Sequence, residues 1–276
     1  MKKSKRKEKA IVKAGGAIGE NIYELWLETS MAKDANPGQL VGVYSRDKSL
    51  LLPRPISICE TDSGKTSIRL VYRIAGKGTL DLANLRKGDE IELLGVLGNG
   101  FPWKDHTDKN IIVMAGGIGI PPMLQLSREI AAAKTNNRSN TMLNIVLGYR
   151  DNGLFLSEEL KACATEDHAG RKTFYIATED GSVGTRGNVL DAVMGNKITG
   201  DVIFACGPMP MLKAIKSYAA ENNIEAYISL EERMACGVGA CLGCVCPTVE
   251  KNAHSNVNNA RICTEGPVFD AREVNI

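Results

Sequence analysis

The sequence predicts a multidomain protein of β and α/β class: an N-terminal antiparallel β-barrel, a doubly wound parallel α/β sheet, and a small C-terminal cysteine-rich domain. Three observations predict it. Residues 11 to about 105 hold short apolar runs cut by turn signals, and residues 111–230 alternate apolar strands with helical patterns. Residues 231–276 are rich in Gly, Cys and Asn and carry no sustained period. At 276 residues the chain has room for about two domains and an appendage. The expected divisions are a disordered basic arm over 1–10, the barrel over 11–106, the parallel sheet over 107–228 and the cysteine-rich domain over 229–276.

Each element has its own reason. In the first region the runs Ile22–Leu27, Leu40–Tyr44, Ser67–Tyr72 and Glu90–Leu94 are separated by Asn36-Pro37-Gly38, Ser63-Gly64-Lys65 and Lys87-Gly88-Asp89. Turn residues at this spacing mark the short strands of a barrel or sandwich. In the second, Ile111–Ala115 is a fully apolar strand, followed by a glycine-rich turn and a helix over Pro122–Lys134. Strands at Leu143–Gly148, Thr173–Thr178, Asp201–Cys206 and Ala226–Leu230 alternate with helices at Ser157–Ala164, Asn188–Met194 and Met209–Asn222, with Ser157 as an N-cap. Such alternation makes βαβ units and a parallel sheet covered by helices on both faces. The third region is too irregular to order itself without an internal cross-link.

Charge and composition exclude several functions. Residues 1–9 hold six basic residues and one acidic, which leaves 28 basic against 31 acidic in the remainder of a chain of net charge +2. The arm is expected to be solvated. A faintly acidic body with 5% aromatic residues argues against a zinc-stabilised nucleic-acid-binding protein, which needs stacking platforms and a basic face. The most apolar stretch, Ile111–Leu124, is shorter than a membrane span and is interrupted by Gly116-Gly117 and Pro121-Pro122, so a soluble, cytoplasmic protein is expected. His106, His168 and His254 form no metal or triad pattern and are expected in solvated loops. No catalytic acid–base residue is predicted.

The eight cysteines carry the strongest signal. Cys236, Cys241 and Cys244 stand in a C-x4-C-x2-C run with Cys263 beyond it, the plant-type [2Fe–2S] spacing. Three thiolates must converge on a small diiron core from one loop, and Gly237, Gly239 and Gly243 remove side chains that would obstruct the wrapping. A structural zinc site or free thiols are the alternatives, but zinc usually takes two short knuckles and Cys244-Val245-Cys246 is too tight to be one. The candidate ligands are Cys236, Cys241, Cys244 and Cys263, with Cys246 a bystander.

Two further signals concern cofactors. Arg54-Pro55-Ile56-Ser57 is followed by Val71-Tyr72-Arg73 and Gly78-Thr79. Arg54 is a fork suited to a phosphate, Pro55 stiffens its strand, Ser57 offers a hydroxyl and Tyr72 a flat face to a flavin ring. Thr79 is expected to cap a short helix over Leu80–Leu85, leaving Gly78 and Thr79 amides for a pyrophosphate. Each element alone is equally a strand arginine or a barrel tyrosine. The second signal is Gly116-Gly117-Ile118-Gly119 after the first parallel strand, repeated in kind by Cys206-Gly207-Pro208 after a later one. Turns at the carboxyl edge of a parallel sheet are where such folds bind nucleotides. Their glycines would let a flat ring approach the backbone, and Cys206 is either a contact residue or a small buried hydrophobe.

In this order the motifs resemble the ferredoxin-reductase superfamily: Arg54–Ser57 is similar to its flavin motif, and Gly116–Gly119 and Cys206–Pro208 to its two nicotinamide-nucleotide loops. Leu97-Gly98-Asn99-Gly100-Phe101, Glu232–Cys241 and Ile262–Phe269 resemble the electron-transfer subunits of type B dihydroorotate dehydrogenases, over roughly residues 11–276. The lysine-rich residues 1–9 and the long loop carrying Cys246 depart from that pattern. The resemblance implies FAD on the barrel, NAD on the sheet and a [2Fe–2S] cluster on the C-terminal domain. It also implies an FMN-containing catalytic partner that oxidises dihydroorotate to orotate in pyrimidine synthesis, in a heterotetramer with two copies of each subunit. This chain would carry electrons from cluster through FAD to NAD⁺, a flavin being needed between a one-electron cluster and a hydride carrier. The alternative is a flavin/iron–sulfur subunit of another NAD(P)H complex, a transhydrogenase or a sulfur-metabolising reductase. Tyr149-Arg150-Asp151 leaves NAD against NADP open, because the acid suits a ribose and the arginine a 2′-phosphate.

Overall fold

The computed structural model describes residues 6–135, 142–166, 170–252 and 256–276. Residues 1–5 of the basic arm, His168 and His254 lie outside them. By internal packing the described chain forms two units. One comprises residues up to Gly100 with Glu231–Val268, the other Phe101–Leu230 with Phe269–Ile276. The cysteine-rich segment is thus built together with the barrel, where the sequence suggests a separate domain.

In the first unit, β1 (Arg6–Gly19), β2 (Ile22–Glu28), β3 (Leu40–Val43), β4 (Arg54–Thr61), β5 (Ser67–Arg73) and β6 (Glu90–Leu97) close into a barrel of order β1-β2-β5-β4-β3-β6, with helix α1 (Lys77–Ala83) before β6. Alternate residues fill the interior: Leu25 and Leu27 from β2, Ile68, Leu70 and Tyr72 from β5. Closure removes the sheet edges that would otherwise need covering.

Strand β1 corrects the expected disordered arm. Arg6–Ile11 pair with Gly95–Glu90 of β6, and Ala10 and Val12 point into the core. The lysines alternating with them face outward, where Lys7 meets Glu92 at 2.9 Å, Lys9 meets Glu90 at 2.7 Å and Lys13 meets Glu28 at 2.7 Å. Lys7, Lys9 and Lys13 are therefore one face of a strand whose acidic partners lie on β6 and β2. Glu8 is held by Arg6 Nε at 2.8 Å, by the Ser30 hydroxyl at 2.7 Å and by the Thr29 hydroxyl.

In the second unit, β7 (Ile111–Gly116), α2 (Pro122–Thr135), β8 (Leu143–Tyr149), α3 (Ser157–Cys163), β9 (Phe174–Thr178), β10 (Thr185–Arg186), α4 (Val189–Gly195), β11 (Val202–Cys206), α5 (Met209–Glu221) and β12 (Glu225–Ser229) follow in order. The remaining strands are β13 (Val245–Pro247) and β14 (Asn259–Arg261), a small antiparallel pair in the first unit, and β15 (Val268–Asp270). The large sheet runs β10-β9-β8-β7-β11-β12-β15, parallel from β10 through β12. Its order reverses between β7 and β11, the switch point at which such sheets open a crevice beyond their carboxyl ends.

Two local expectations change. Ser157 is the first residue of α3 rather than its cap, because the chain enters the helix through Leu156 at φ 58°. His106 is not solvated: it is 4% exposed and packs against Phe204 and Tyr227, with ring centroids 5.8 and 5.4 Å away.

Burial pushes the Glu8 carboxyl up, but the hydrogen bonds from Thr29, Ser30 and Arg6 outweigh it and bring it down to about 2. A depressed carboxylate stabilises the fold fully above its unfolded value, 4.5, and that contribution is lost as pH falls to about 2. Glu8→Gln is expected to cost roughly 2 kcal/mol near neutral pH and to flatten the acid limb of the stability curve over that window, as read by denaturant melts across pH.

Candidate functional site

The first group of predicted residues lies on β4, β5 and α1. Arg54 opens β4 and donates through Nη1 to the carbonyls of Leu50, at 3.4 Å, and Leu52. These bonds hold its guanidinium over Gly78, where a side chain of any kind would sit 1.9 Å from Nε. A side chain at position 78 would thus displace the guanidinium. Ile56 and Ser57 follow on β4, both half-buried, with Pro55 exposed between Arg54 and Ile56. The expected helix cap changes: α1 begins at Lys77 after Gly76, and Thr79 sits inside its first turn. The Thr79 hydroxyl accepts from the N–H groups of Ala75 at 2.9 Å and Gly76 at 3.2 Å, so it stabilises the turn rather than capping a later helix.

Tyr72 also differs from expectation. It stands opposite Tyr23, the rings 6.4 Å apart and inclined by 25°, and its ring lies in the barrel core instead of offering a face. Burial raises its hydroxyl above the ordinary phenolic value, and that hydroxyl is buried with no hydrogen-bond partner among the described residues. A buried donor without a partner is costly, and a bound group presenting an acceptor would relieve it. Val71 is buried and Arg73 exposed at the end of the strand. A dinucleotide flavin, with an anionic end for Arg54 and polar ring atoms for Ser57 and Tyr72, fits these residues.

The second group lies at the switch point of the sheet. Gly116 ends β7, Gly117 turns the chain at φ 53°, and Gly119 abuts the end of β11. A side chain on Gly119 would be 2.5 Å from the carbonyl of Cys206 and 2.6 Å from Gly207 Cα. One on Gly207 would be 2.4 Å from Met211, and one on Gly116 2.7 Å from the same residue. These glycines therefore let the two loops pack on each other. Cys206 is buried at the end of β11, and Pro208 precedes α5. After β8, Asp151 accepts from the N–H of Gly153 at 2.8 Å in its own turn, while Arg150 is exposed.

The third group is the cysteine loop. The Cys236 sulfur accepts from the N–H groups of Ala240 at 3.3 Å and of Val238 and Cys241 at 3.4 Å; that of Cys241 accepts from Gly243 at 3.4 Å. Gly237 at φ 66° and Gly239 at φ 86° give the backbone the curvature that turns these amides inward. Burial pushes the Cys236 thiol up, but these N–H donors outweigh it and bring it down to about 6. Cys244 and Cys263 are buried and Cys241 is exposed, while burial raises the Cys246 thiol to about 11 in the pair β13–β14. Among the described residues no three ligating side chains converge on a single ion. A loop of inward amides fits the thiolates of an iron–sulfur cluster, whose charge such donors stabilise. Sequence reasoning missed Arg261, which donates to the carbonyl of Gly239 at 3.1 Å and to Glu265 at 2.9 Å, bracing the loop from β14. Its signal was an arginine and a glutamate four residues apart around Cys263.

Comparison with known proteins agrees with this arrangement. Residues 231–275 match a family described as the iron-sulfur cluster binding domain of dihydroorotate dehydrogenase B, and residues 113–217 match the oxidoreductase NAD-binding domain. The chain is 39% identical over 262 residues to the dihydroorotate dehydrogenase B (NAD(+)) electron transfer subunit of Listeria monocytogenes serotype 4a, covering 94% of this chain and 95% of that one. It is 38% identical to the Geobacillus subunit of the same name, covering 93% and 94%. The chain belongs to the dihydroorotate dehydrogenase B electron transfer subunits. Members of that family share their fold more widely. A chain of the NADH-dependent reduced ferredoxin-NADP oxidoreductase superposes with a TM-score of 0.76 at 23% identity, covering 96% of this chain and 89% of that one. A ferredoxin NADP⁺ reductase from Neisseria gonorrhoeae does so at 0.63 and 14%, covering 78% and 91%. No helix among the described residues is long and apolar enough to cross a membrane.

The loop packing makes a direct prediction for the family's NAD-binding unit. Gly119→Ala is expected to force the two switch-point loops apart, costing about 1–3 kcal/mol of stability and weakening NADH binding. Thermal melts and an NADH titration of the full chain check it; an unchanged melt and affinity would show that the loops yield freely.

Proposed function

We propose that this chain takes electrons from a catalytic dihydroorotate dehydrogenase subunit and delivers them to NAD⁺. The observation that carries the reading is the cysteine loop, whose amides face the sulfurs of Cys236 and Cys241. The likeness of the whole chain to electron transfer subunits supports it. Cys236, Cys241, Cys244 and Cys263 hold the [2Fe–2S] cluster. Arg54, Pro55, Ile56 and Ser57, with Val71, Tyr72, Arg73, Gly78 and Thr79, hold FAD. Gly116, Gly117, Gly119, Cys206, Gly207 and Pro208 shape the NAD crevice. When bound, the cluster exchanges single electrons, the flavin exchanges single electrons with it and a hydride with the nicotinamide, and NAD⁺ carries the pair away. The partner carries FMN, and the assembly holds two of each subunit.

The protein's own part is to bind, orient and shield. Arg54, fixed by two carbonyls, meets the anionic end of the flavin nucleotide without having to be ordered first. The Tyr72 hydroxyl finds its acceptor on the flavin. Uncharged amides hold the thiolates ionised, and Arg261 keeps the loop that supplies those amides in shape.

Purified with its partner, the chain is expected to be yellow-brown, to contain FAD, iron and sulfide, and to reduce NAD⁺ faster than NADP⁺ when dihydroorotate is supplied. A colourless chain with stoichiometric zinc, or a strong NADP⁺ preference, would overturn the reading. Arg54→Ala is expected to release FAD on gel filtration while iron and sulfide stay. Loss of both cofactors together from a folded variant would show that the two sites are not independent. Cys263→Ser is expected to lose the cluster and Cys246→Ser to keep it, as iron and sulfide assays would read. The reverse pattern would make Cys246 the fourth ligand.

A further inference from the structure

The segment Leu97-Gly98-Asn99-Gly100 belongs to none of the three sites, yet each residue is engaged. Leu97 ends β6 opposite Leu40 of β3, and Leu40 lies opposite Ser57 of β4. The chain then turns at Gly98 with φ 75°, its carbonyl accepting from Gln39 Nε2 at 2.7 Å and its N–H donating to the Cys263 carbonyl at 3.1 Å. The N–H of Asn99 donates to the Gly266 carbonyl at 2.6 Å. The Asn99 side-chain amide donates to the carbonyls of Glu265 at 2.9 Å and Val268 at 2.8 Å, and its oxygen accepts from the N–H of Val268 at 3.0 Å. A side chain on Gly98 would be 2.5 Å from the Gly266 carbonyl oxygen, and one on Gly100 2.6 Å from that of Pro37. Asn99 is exposed, so bonds exchanged against water add little stability. What they fix is geometry.

We propose that Gly98 and Asn99 are positioning residues that set the separation between the flavin strands of the barrel and the Cys263 end of the cluster, and so the rate of single-electron passage between them. This rests on the reading above that Arg54–Ser57 hold FAD and Cys263 ligates the cluster. The device is short: one hydrogen bond from Gly98 reaches the backbone of the ligand itself, and three from one side chain fix the turn that follows it. No other residue type offers two donors and one acceptor at that reach without a longer, looser stem.

The test uses the full chain with its cofactors, mixed anaerobically with NADH. Each NADH gives up a hydride and leaves as NAD⁺; one of the two electrons passes on to the oxidised cluster, reducing one iron(III) to iron(II), and the other stays on the flavin. Asn99→Ala removes the three side-chain bonds to Glu265 and Val268 without adding charge, and Gly98→Ala wedges the turn away from Gly266. In both, flavin bleaching in stopped flow is expected at the parent rate, with iron, sulfide and FAD content and the cluster's midpoint potential unchanged. Cluster reduction, followed by freeze-quench paramagnetic resonance, is expected to slow severalfold, because electron transfer falls steeply with the distance between donor and acceptor. Cluster reduction at the parent rate in either variant would overturn the proposal. So would loss of iron from both, since the residues would then hold the cluster rather than set its distance. A parent chain without flavin or iron would instead sink the underlying reading.

Discussion

The cysteine-rich segment takes its order from the barrel, with which it packs as one unit. Within that unit its paired strands among the described residues, β13 and β14, are three residues each. It is ordered by backbone bonds to the end of β6 and by glycines that let other chains approach: Gly237 lies against Leu94 and Leu97, and Gly239 against Thr264. A redox centre built this way inherits the rigidity of the barrel. A free-standing cysteine loop would have to supply that rigidity through the cluster alone.

The second unit meets a related demand by the same means. Its two loops at the switch point meet backbone to backbone where Gly119 abuts Cys206 and Gly207, so that part of the crevice floor is main chain. Such a floor presents fixed dipoles to a bound nucleotide and loses little entropy on binding. The glycines there answer to the protein's own packing first and to the ligand second.

How much of this was legible in the sequence depended on the range of the signal. The cysteine spacing is local, and it placed the loop correctly beside its glycines. Strands β2, β3, β5 and β6 were legible because turn residues bound them. Strand β1 was not, since Lys7 and Lys9 read as a charge run until Glu92 and Glu90, some eighty residues on, are seen across the ladder. The orientation of Tyr72 was not legible, because it depends on Tyr23 on a neighbouring strand, which no local pattern reveals. His106 looked solvated for the same reason: the rings that bury it come from β11 and β12. The packing of the cysteine segment with the barrel was the least legible feature, because it is made of backbone bonds.

Charge around the cysteine loop is balanced locally. Thiolates holding a diiron core would bring excess negative charge, and a free cation beside them would favour the reduced state. The nearest cation on β14, Arg261, is not free: it is paired with Glu265, whose carboxyl it holds below the usual carboxylate range. Its charge is largely cancelled, and its remaining contact is a hydrogen bond to the Gly239 carbonyl. Stabilisation of the thiolates therefore falls to neutral N–H dipoles, which ease the charge without adding any. Replacing the Glu265 carboxylate by a neutral amide would unmask Arg261 and shift that balance toward retention of the electron.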